Sequence, residues 1–556
     1  MTERFDIDDA AEAEAASASQ TGPESESKGS GRLARSTALF SAATALSRIA
    51  GLVREIVAAS YFGVKGPMSA FTIAFQAPNL MRSLFADAAL QAAFVPVFTE
   101  LLERGERREA FRLASAMIFM VTLVLGAITA LFILLAPVIV PLVAPGFEGE
   151  LLDLTVALSR ILFPILILLG LTGMVVGVLN SYDRFGVFAI SPFFWNVAII
   201  AVLVGLAPVF PEDDEIYAYA IGVLVGTVIQ LALPVIDLRN TPYGVRNALT
   251  APLRMTGARE RLRNPAVRRV LLLMLPVTIS LGLINFNLII NSLFGTLVSD
   301  QAPAAIDKAF RIYMLPQGIF SVAIATVLFP TLARYAARGA FGDLRRTMAN
   351  GMRQISLMLI PATAAILALS EPMTRLVYQR GEFDAAQTEI VSEALFWFAF
   401  SLPFNGLFLL LTRTFFSLQR PWLPTTISGV NLAITAVGAL LLYKPFGVGG
   451  IVAATALATF ASVVAQMAVL RGHLGRLELG QLAWSGSRIV LAAGVLGGVA
   501  FGVWDVLDAE LGRGTGGQIV SLGTALAAGG AAYLAAILAL RVPEAKQALR
   551  VFRRRA

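Results

Sequence analysis

Four arginines, Arg48, Arg54, Arg82 and Arg311, stand inside long apolar runs of a 556-residue chain. At the centre of a membrane-spanning helix an arginine costs roughly 2.5–3.5 kcal/mol by insertion scales, unless it lines a cavity, finds a partner or reaches the interface. Taken singly, each is explained as well by snorkelling or a local ion pair, Arg54 with Glu55 or Asp87 for instance. Together they outnumber the carboxylates near them, Glu55, Asp87 and Asp307. An excess of positive charge in hydrocarbon calls for an anionic ligand, and the guanidinium fork, with its two parallel donors, suits phosphate. Asn79 sits beside this set. It belongs to a wider group of amides, Asn196, Asn285, Asn287, Asn291, Asn405 and Asn431, read first as interhelical hydrogen-bonding groups. Other chemistries are excluded by composition. The chain has no cysteine and one histidine, His473 in an expected loop, so thiolate or imidazole metal sites and histidine-dependent triads have no material. No phosphate-cradling glycine loop, dinucleotide fingerprint or nucleic-acid motif is present.

The elements that must position these residues are membrane helices. Hydrophobic residues make up 57% of the chain and charged ones 15%, with a mean hydropathy of +0.73. Apolar runs predict an all-α polytopic protein with fourteen spans, near 36–62, 68–98, 111–142, 153–180, 187–209, 216–238, 270–298, 304–335, 352–378, 391–418, 425–444, 449–470, 487–507 and 516–541. Arginine alternates between the connecting loops. The basic loops hold Arg104, Arg107 and Arg108, then Arg184, then eight arginines in 239–269, then Arg338, Arg345 and Arg346, then Arg420, then Arg471 and Arg476. The others hold Glu148, Glu150 and Asp153, then Glu212 through Glu215, then Asp300, then Glu382 and Asp384, then Asp505, Asp508 and Glu510. Both termini are therefore expected in the cytoplasm.

A repeat links the halves. Pro96 and Arg104-Gly105 align with Pro330 and Arg338-Gly339 at an offset of 234, and Ser181, Arg184 and Asn196 align with Ser417, Arg420 and Asn431 at 235 to 236. Six spans per repeat preserve orientation, which predicts two parallel six-helix lobes around a central cavity, plus two C-terminal helices. The expected divisions are an acidic tail at 1–35, an N-lobe at 36–238, a basic linker at 239–269, a C-lobe at 270–470, the last two spans at 471–541 and a basic tail at 542–556. The linker's arginines among Leu249, Leu253 and Leu262 suit either an amphipathic surface helix or a solvated connection. Prolines inside spans, Pro78 and Pro316 among them, mark kinks, and both lie close to cavity arginines.

The stretch Leu46-Ser47-Arg48-Ile49-Ala50-Gly51-Leu52-Val53-Arg54-Glu55 resembles the MurJ/MviN family of lipid II flippases. So do Ala77-Pro78-Asn79-Leu80-Met81-Arg82, Ala93-Phe94-Val95-Pro96, Ala144-Pro145-Gly146-Phe147, Leu315-Pro316-Gln317-Gly318 after Arg311, and Tyr378-Gln379-Arg380-Gly381-Glu382-Phe383. The resemblance implies the fold of the MOP exporter superfamily, location in the bacterial cytoplasmic membrane, and transport of the peptidoglycan precursor lipid II from inner to outer leaflet, not enzymatic turnover. It implies that Arg48, Arg54, Arg82 and Arg311 bind the pyrophosphate, with Glu55, Asn79 and Asp87 as polar neighbours, and that partners are lipid II, the bilayer and proteins of cell-wall synthesis or division. No cofactor is implied. Ser69, Asn291 and Met314 stand where relatives use carboxylates, so the membrane potential is the expected drive and a metal site is not. Multidrug antiporters and polysaccharide flippases of the same two-lobe fold are the alternatives; the former call for an acidic, aromatic cavity.

Overall fold

Backbone polar groups in hydrocarbon have no partner but each other, so long apolar segments become helices. A computed structural model describes residues 43, 45–85, 88–184, 186–211, 214–250, 265–475 and 479–542, without the side chains of 81–85, 88–92, 273, 275–285 and 479; among the described residues there are helices and no strand. The expected acidic tail lies outside this part, as does the basic tail beyond Val542.

The first half comprises α1 (45–62), α2 (Gly66–Phe85), α3 (Ala88–Glu103), α4 (Arg107–Val143), α5 (Gly149–Leu162), α6 (Ile165–Asn180), α7 (Gly186–Leu206) and α8 (Ile216–Asp237). Of the linker, Gly244–Thr250 forms α9, tied to α4 by Tyr243 Oη and Ser115 Oγ 3.0 Å apart, and 251–264 lie outside the described residues. The second half has α10 (Pro265–Thr296), α11 (Ala302–Pro316), α12 (Val322–Ala337), α13 (Phe341–Tyr378), α14 (Ala385–Ser417) and α15 (Trp422–Leu474), followed by α16 (Leu479–Leu511) and α17 (Thr515–Ala539).

Ten of these helical segments are long and apolar enough to cross a membrane; the total of fourteen remains the sequence reading. One of the ten, α15, is 53 residues long, about 80 Å if straight and far more than a bilayer needs. It is not straight. Gly447 takes φ 53° and ψ −134°, a region open to glycine, and the helix turns back so closely that a Cβ on Gly450 would lie 2.2 Å from Leu442 O. After Pro316, the residues Gln317–Ser321 widen into a π-turn before α12 begins, the local accommodation expected where proline removes a donor.

One apolar core joins residues of α1, α2, α5 and α8 to residues of α11, α13, α14 and α15, so the two halves share their packing. The last two helices pack on α13: Leu357, Ala365 and Leu369 meet Ile489, Leu496, Leu522 and Ile537. Tyr533 Oη donates to Leu357 O at 2.8 Å. Two sequence expectations need correction here. Asp505, Asp508 and Glu510 are not in a loop, because α16 runs on to Leu511; Asp508, half-buried, forms an ion pair with the buried Arg375 of α13, whose guanidinium also lies 5.7 Å from the Trp504 ring. A buried charge this close to an apolar helix face needs a carboxylate. His473 likewise is not in a loop but in the last turn of α15.

The repeat reappears as a pair of equivalent contacts. Arg184 holds Asp237 through Nε at 3.2 Å and Nη2 at 2.7 Å. At an offset of 236 for both partners, Arg420 contacts His473.

Candidate substrate-binding site between the lobes

The polar centre forms where α1 meets α11. Asp307, Lys308 and Arg311 share one face of α11, since i,i+3 and i,i+4 residues are neighbours on a helix, and that face meets Glu55 of α1. Glu55 Oε1 accepts from Arg54 Nη2 at 2.5 Å and lies 3.1 Å from Arg311 Nη1. Its Oε2 accepts from Lys308 Nζ at 2.8 Å. Arg311 Nε donates to Asp307 Oδ2 at 2.8 Å. Arg54, Glu55 and Lys308 are buried, while Arg311 keeps 35% of its side chain exposed. Arg54 also stacks 4.7 Å from the Trp195 ring of α7, and Lys308 lies 5.6 Å from the Tyr378 ring of α13. Desolvated cations over aromatic faces gain from the ring quadrupole what water no longer supplies.

Arg48 lies apart from these pairs. It is exposed, six residues before Arg54, and its Nη1 is 3.0 Å from where a Cβ on Gly318 would stand. The glycine of the Leu315-Pro316-Gln317-Gly318 motif thus leaves room for an arginine from the opposite lobe. Arg54, Lys308 and Arg311 engage Glu55, Arg311 also engages Asp307, and Arg48 on the helix that carries Arg54 adds a fourth cation against these two carboxylates.

Beside this centre the lobes are joined at one end. Lys65 Nζ and Glu382 Oε2 are 2.5 Å apart, Val64 N donates to Gln387 Oε1 at 2.8 Å, and Glu382 N donates to Ser60 O at 2.9 Å. Gly381, at φ +59°, lies where a Cβ would be 2.2 Å from Ser60 O. Ser69 Oγ accepts from Ala304 N at 3.2 Å, capping α11 from the other lobe. Gly146 N donates to Thr296 Oγ1 at 3.2 Å. All these residues belong to, or flank, the loops that sequence assigns to the acidic side. Opposite them, Arg269 pairs with Glu100 at 2.8 Å.

A sequence model for the family described as "Lipid II flippase MurJ" matches residues 58–515. The chain belongs to the MurJ family. Among curated MurJ relatives, a "Probable lipid II flippase MurJ" of Rhizobium meliloti (strain 1021) is 34% identical over 452 residues, covering 80% of this chain and 82% of that protein. A "Lipid II flippase MurJ" of Burkholderia cenocepacia is 30% identical over 421 residues, 75% of this chain and 80% of its own. A solved structure of "Lipid II flippase MurJ, inward closed conformation" superposes with a TM-score of 0.72 at 21% identity, over 90% of this chain and 99% of that one. An inward-facing MATE transporter of the MOP superfamily follows at a TM-score of 0.62 and 14% identity, over 78% of this chain and 95% of that one. The two-lobe fold expected from sequence is therefore shared with these MurJ and MATE structures, and this MurJ-family chain is a multi-pass membrane protein.

Of the residues singled out from sequence, Arg54, Glu55 and Arg311 come together directly and Arg48 lies close by. Arg54 is paired, not free, because Glu55 shares its turn of helix. Asn79 is half-buried in α2, just after Pro78. Arg82 falls on α2 with its side chain outside the described residues, and Asp87 lies outside them altogether. Lys308 is the member that sequence reading missed. The available signal was Asp307-Lys308, four and three residues ahead of Arg311 in an otherwise apolar helix.

A second polar space lies within the C-lobe. Asn287, Asn291, Met314, Gln317, Asn405, Asn431, Thr455 and Thr459 line a cavity of about 310 Å³. Asn291 accepts from Thr455 Oγ1 at 3.0 Å, and Asn287 Nδ2 donates to Asn431 Oδ1 at 2.9 Å. No cluster of three or more acidic or histidine side chains suited to a metal ion occurs among the described residues.

Proposed function

We propose that this protein carries lipid II from the inner to the outer leaflet by alternating access of its two lobes. The inter-lobe charge cluster carries the reading: four basic side chains from both lobes against two carboxylates, with Arg48 and Arg311 still accessible. A pyrophosphate entering there would take donors from Arg48 and Arg311 and compete with Glu55 and Asp307 for them. Because α1 and α11 belong to different lobes, a ligand bound to both changes the energy of their separation, which is what coupling binding to movement requires. The polyprenyl tail would stay in lipid beside α16 and α17. An organic-cation antiporter of the same fold is disfavoured by the same cluster, whose excess charge has the wrong sign.

The orientation that fits is cytoplasmic termini, with the joined end facing outward and the basic linker inward. For drive, the membrane potential is favoured: each negative charge carried outward gains about 2.3 kcal/mol per 100 mV. The neutral oxygens of Asn291, Thr455 and Thr459 would hold sodium weakly, since hard cations favour charged oxygens.

The test of function is rescue of a flippase-depleted bacterium by this chain and by Arg48→Ala, Arg54→Ala and Arg311→Ala at matched membrane abundance. Rescue by the parent and failure of the variants is expected; undiminished rescue by all three would overturn the role of the cluster. For the drive, translocation of lipid II is followed while the potential and the sodium gradient are collapsed separately. Activity is expected to follow the potential, and dependence on sodium at constant potential would reverse the assignment.

A further inference from the structure

We propose that the basic end of the C-lobe holds an anionic diacyl phospholipid, in a site separate from the inter-lobe cluster. The observation is a broken symmetry between the repeats. In the N-lobe Arg184 is neutralised by Asp237, gripped through two nitrogens. In the C-lobe the same place is taken by Arg420 and His473. The tautomer that satisfies His473 has Nδ1–H donating to Val469 O at 2.9 Å and Nε2 accepting from Arg420 Nη1. A neutral imidazole orients the guanidinium but leaves its charge intact, so the Arg184–Asp237 pair is neutral and the Arg420–His473 pair carries plus one.

That uncompensated charge stands in the wall of a cavity of about 780 Å³, formed where α12, α13, α14 and α15 end or begin. Its remaining lining is Phe329, Ala333, Phe341, Phe416 and their apolar neighbours, with Ser417 and Gln419 and, among the described residues, no acidic side chain. A second guanidinium, Arg413, lies 5.3 Å from the Phe329 ring. Phe341, on the rim, is 47% exposed. The space therefore offers an apolar trough ended by fixed positive charge, at the level where helices leave the hydrocarbon. A free phosphate would use the arginine and leave the trough empty; a neutral lipid would use the trough and leave the arginine without a counter-ion. A phospholipid whose headgroup bears a net negative charge uses both, its phosphate on Arg420 and an acyl chain along Phe416 and Ala333.

The chain has no cysteine, so a single fluorophore on Phe341→Cys reports from the rim without background. The purified full chain is placed in bilayers containing bromine-labelled phosphatidylglycerol or bromine-labelled phosphatidylcholine at equal mole fraction, and quenching is compared. A preference for the anionic lipid of about fivefold in relative affinity is expected, equivalent to the ~1 kcal/mol contributed by one basic residue at a membrane surface. The same measurement from Val437→Cys, an exposed site on the first half of α15, should show no such preference. His473→Asp, which recreates the neutral pair of the N-lobe without removing the arginine, should abolish the preference, as should Arg420→Gln, while Arg420→Lys should keep most of it. Equal quenching by both lipids at position 341, or a preference unchanged in His473→Asp and Arg420→Gln, would overturn the proposal. Loss of the preference on adding inorganic phosphate would also overturn it, by showing that the site takes the anion without the chains.

Discussion

Glu55 has more ionic partners than any other described side chain in the site: Arg54, Lys308 and Arg311 all lie within 3.1 Å of it. Removing a buried carboxylate strands the cations it serves, and breaking such pairs costs about 3–5 kcal/mol. Glu55→Gln is therefore expected to lower the thermal unfolding midpoint of the purified protein strongly as well as to impair flipping. Lys308→Met keeps side-chain volume and leaves Glu55 with two arginines, so its cost should be smaller, about 1–3 kcal/mol. Equal destabilisation of the two variants in thermal unfolding would show that Glu55 is not the centre of this network. Arg82→Lys belongs to the same scale. A point ammonium cannot reproduce two parallel donors to a pyrophosphate, so the lysine variant is expected to complement poorly, and full complementation at equal abundance would show that the fork is dispensable there.

Among the elements, the segments that most resemble the family turn out to be seams. Gly146 lies against Thr296 and Gly381 against Ser60, each where a Cβ would collide with backbone oxygen of the other lobe, at 1.9 Å and 2.2 Å. Such contacts cannot be relieved by rotating a side chain. Gly381→Ala is expected to prevent the lobes from closing at this end. The check is a short bifunctional cross-link between Lys65→Cys and Glu382→Cys, whose yield should fall several-fold when Gly381→Ala is added. Gly105→Ala is the control: its φ of +77° carries a modest backbone cost, but a Cβ there meets nothing within 4 Å, so the cross-link should form normally. An undiminished yield with Gly381→Ala would mean that closure tolerates the extra atom.

At the scale of the whole molecule, charge sets orientation. The alternation of arginine between loops places the termini and the 239–269 segment in the cytoplasm. Thr250→Cys should resist an impermeant thiol reagent in intact cells, and Asp213→Cys should react with it. Labelling at 250 from outside, or protection at 213, would invert the topology and with it the direction of transport.

The sequence by itself determined what depends on composition and period. Apolar runs about as long as a bilayer is thick have to be helices, an even-numbered repeat has to be parallel, and arginines in apolar helices have to find a cavity or a partner. Arg48, Arg54, Glu55 and Arg311 were legible for that reason, and so was the break after Pro316. Only the tertiary structure decided which charges neutralise which. Lys308 and Glu55 are 253 positions apart, Arg375 and Asp508 are 133 apart, and no local pattern connects either pair. A span end judged by hydropathy put Asp508 in a loop, because the helix carrying it continues past the apolar run to reach Arg375. Burial of an ion pair is settled by both partners at once, and each partner's surroundings exist only after the helices have packed.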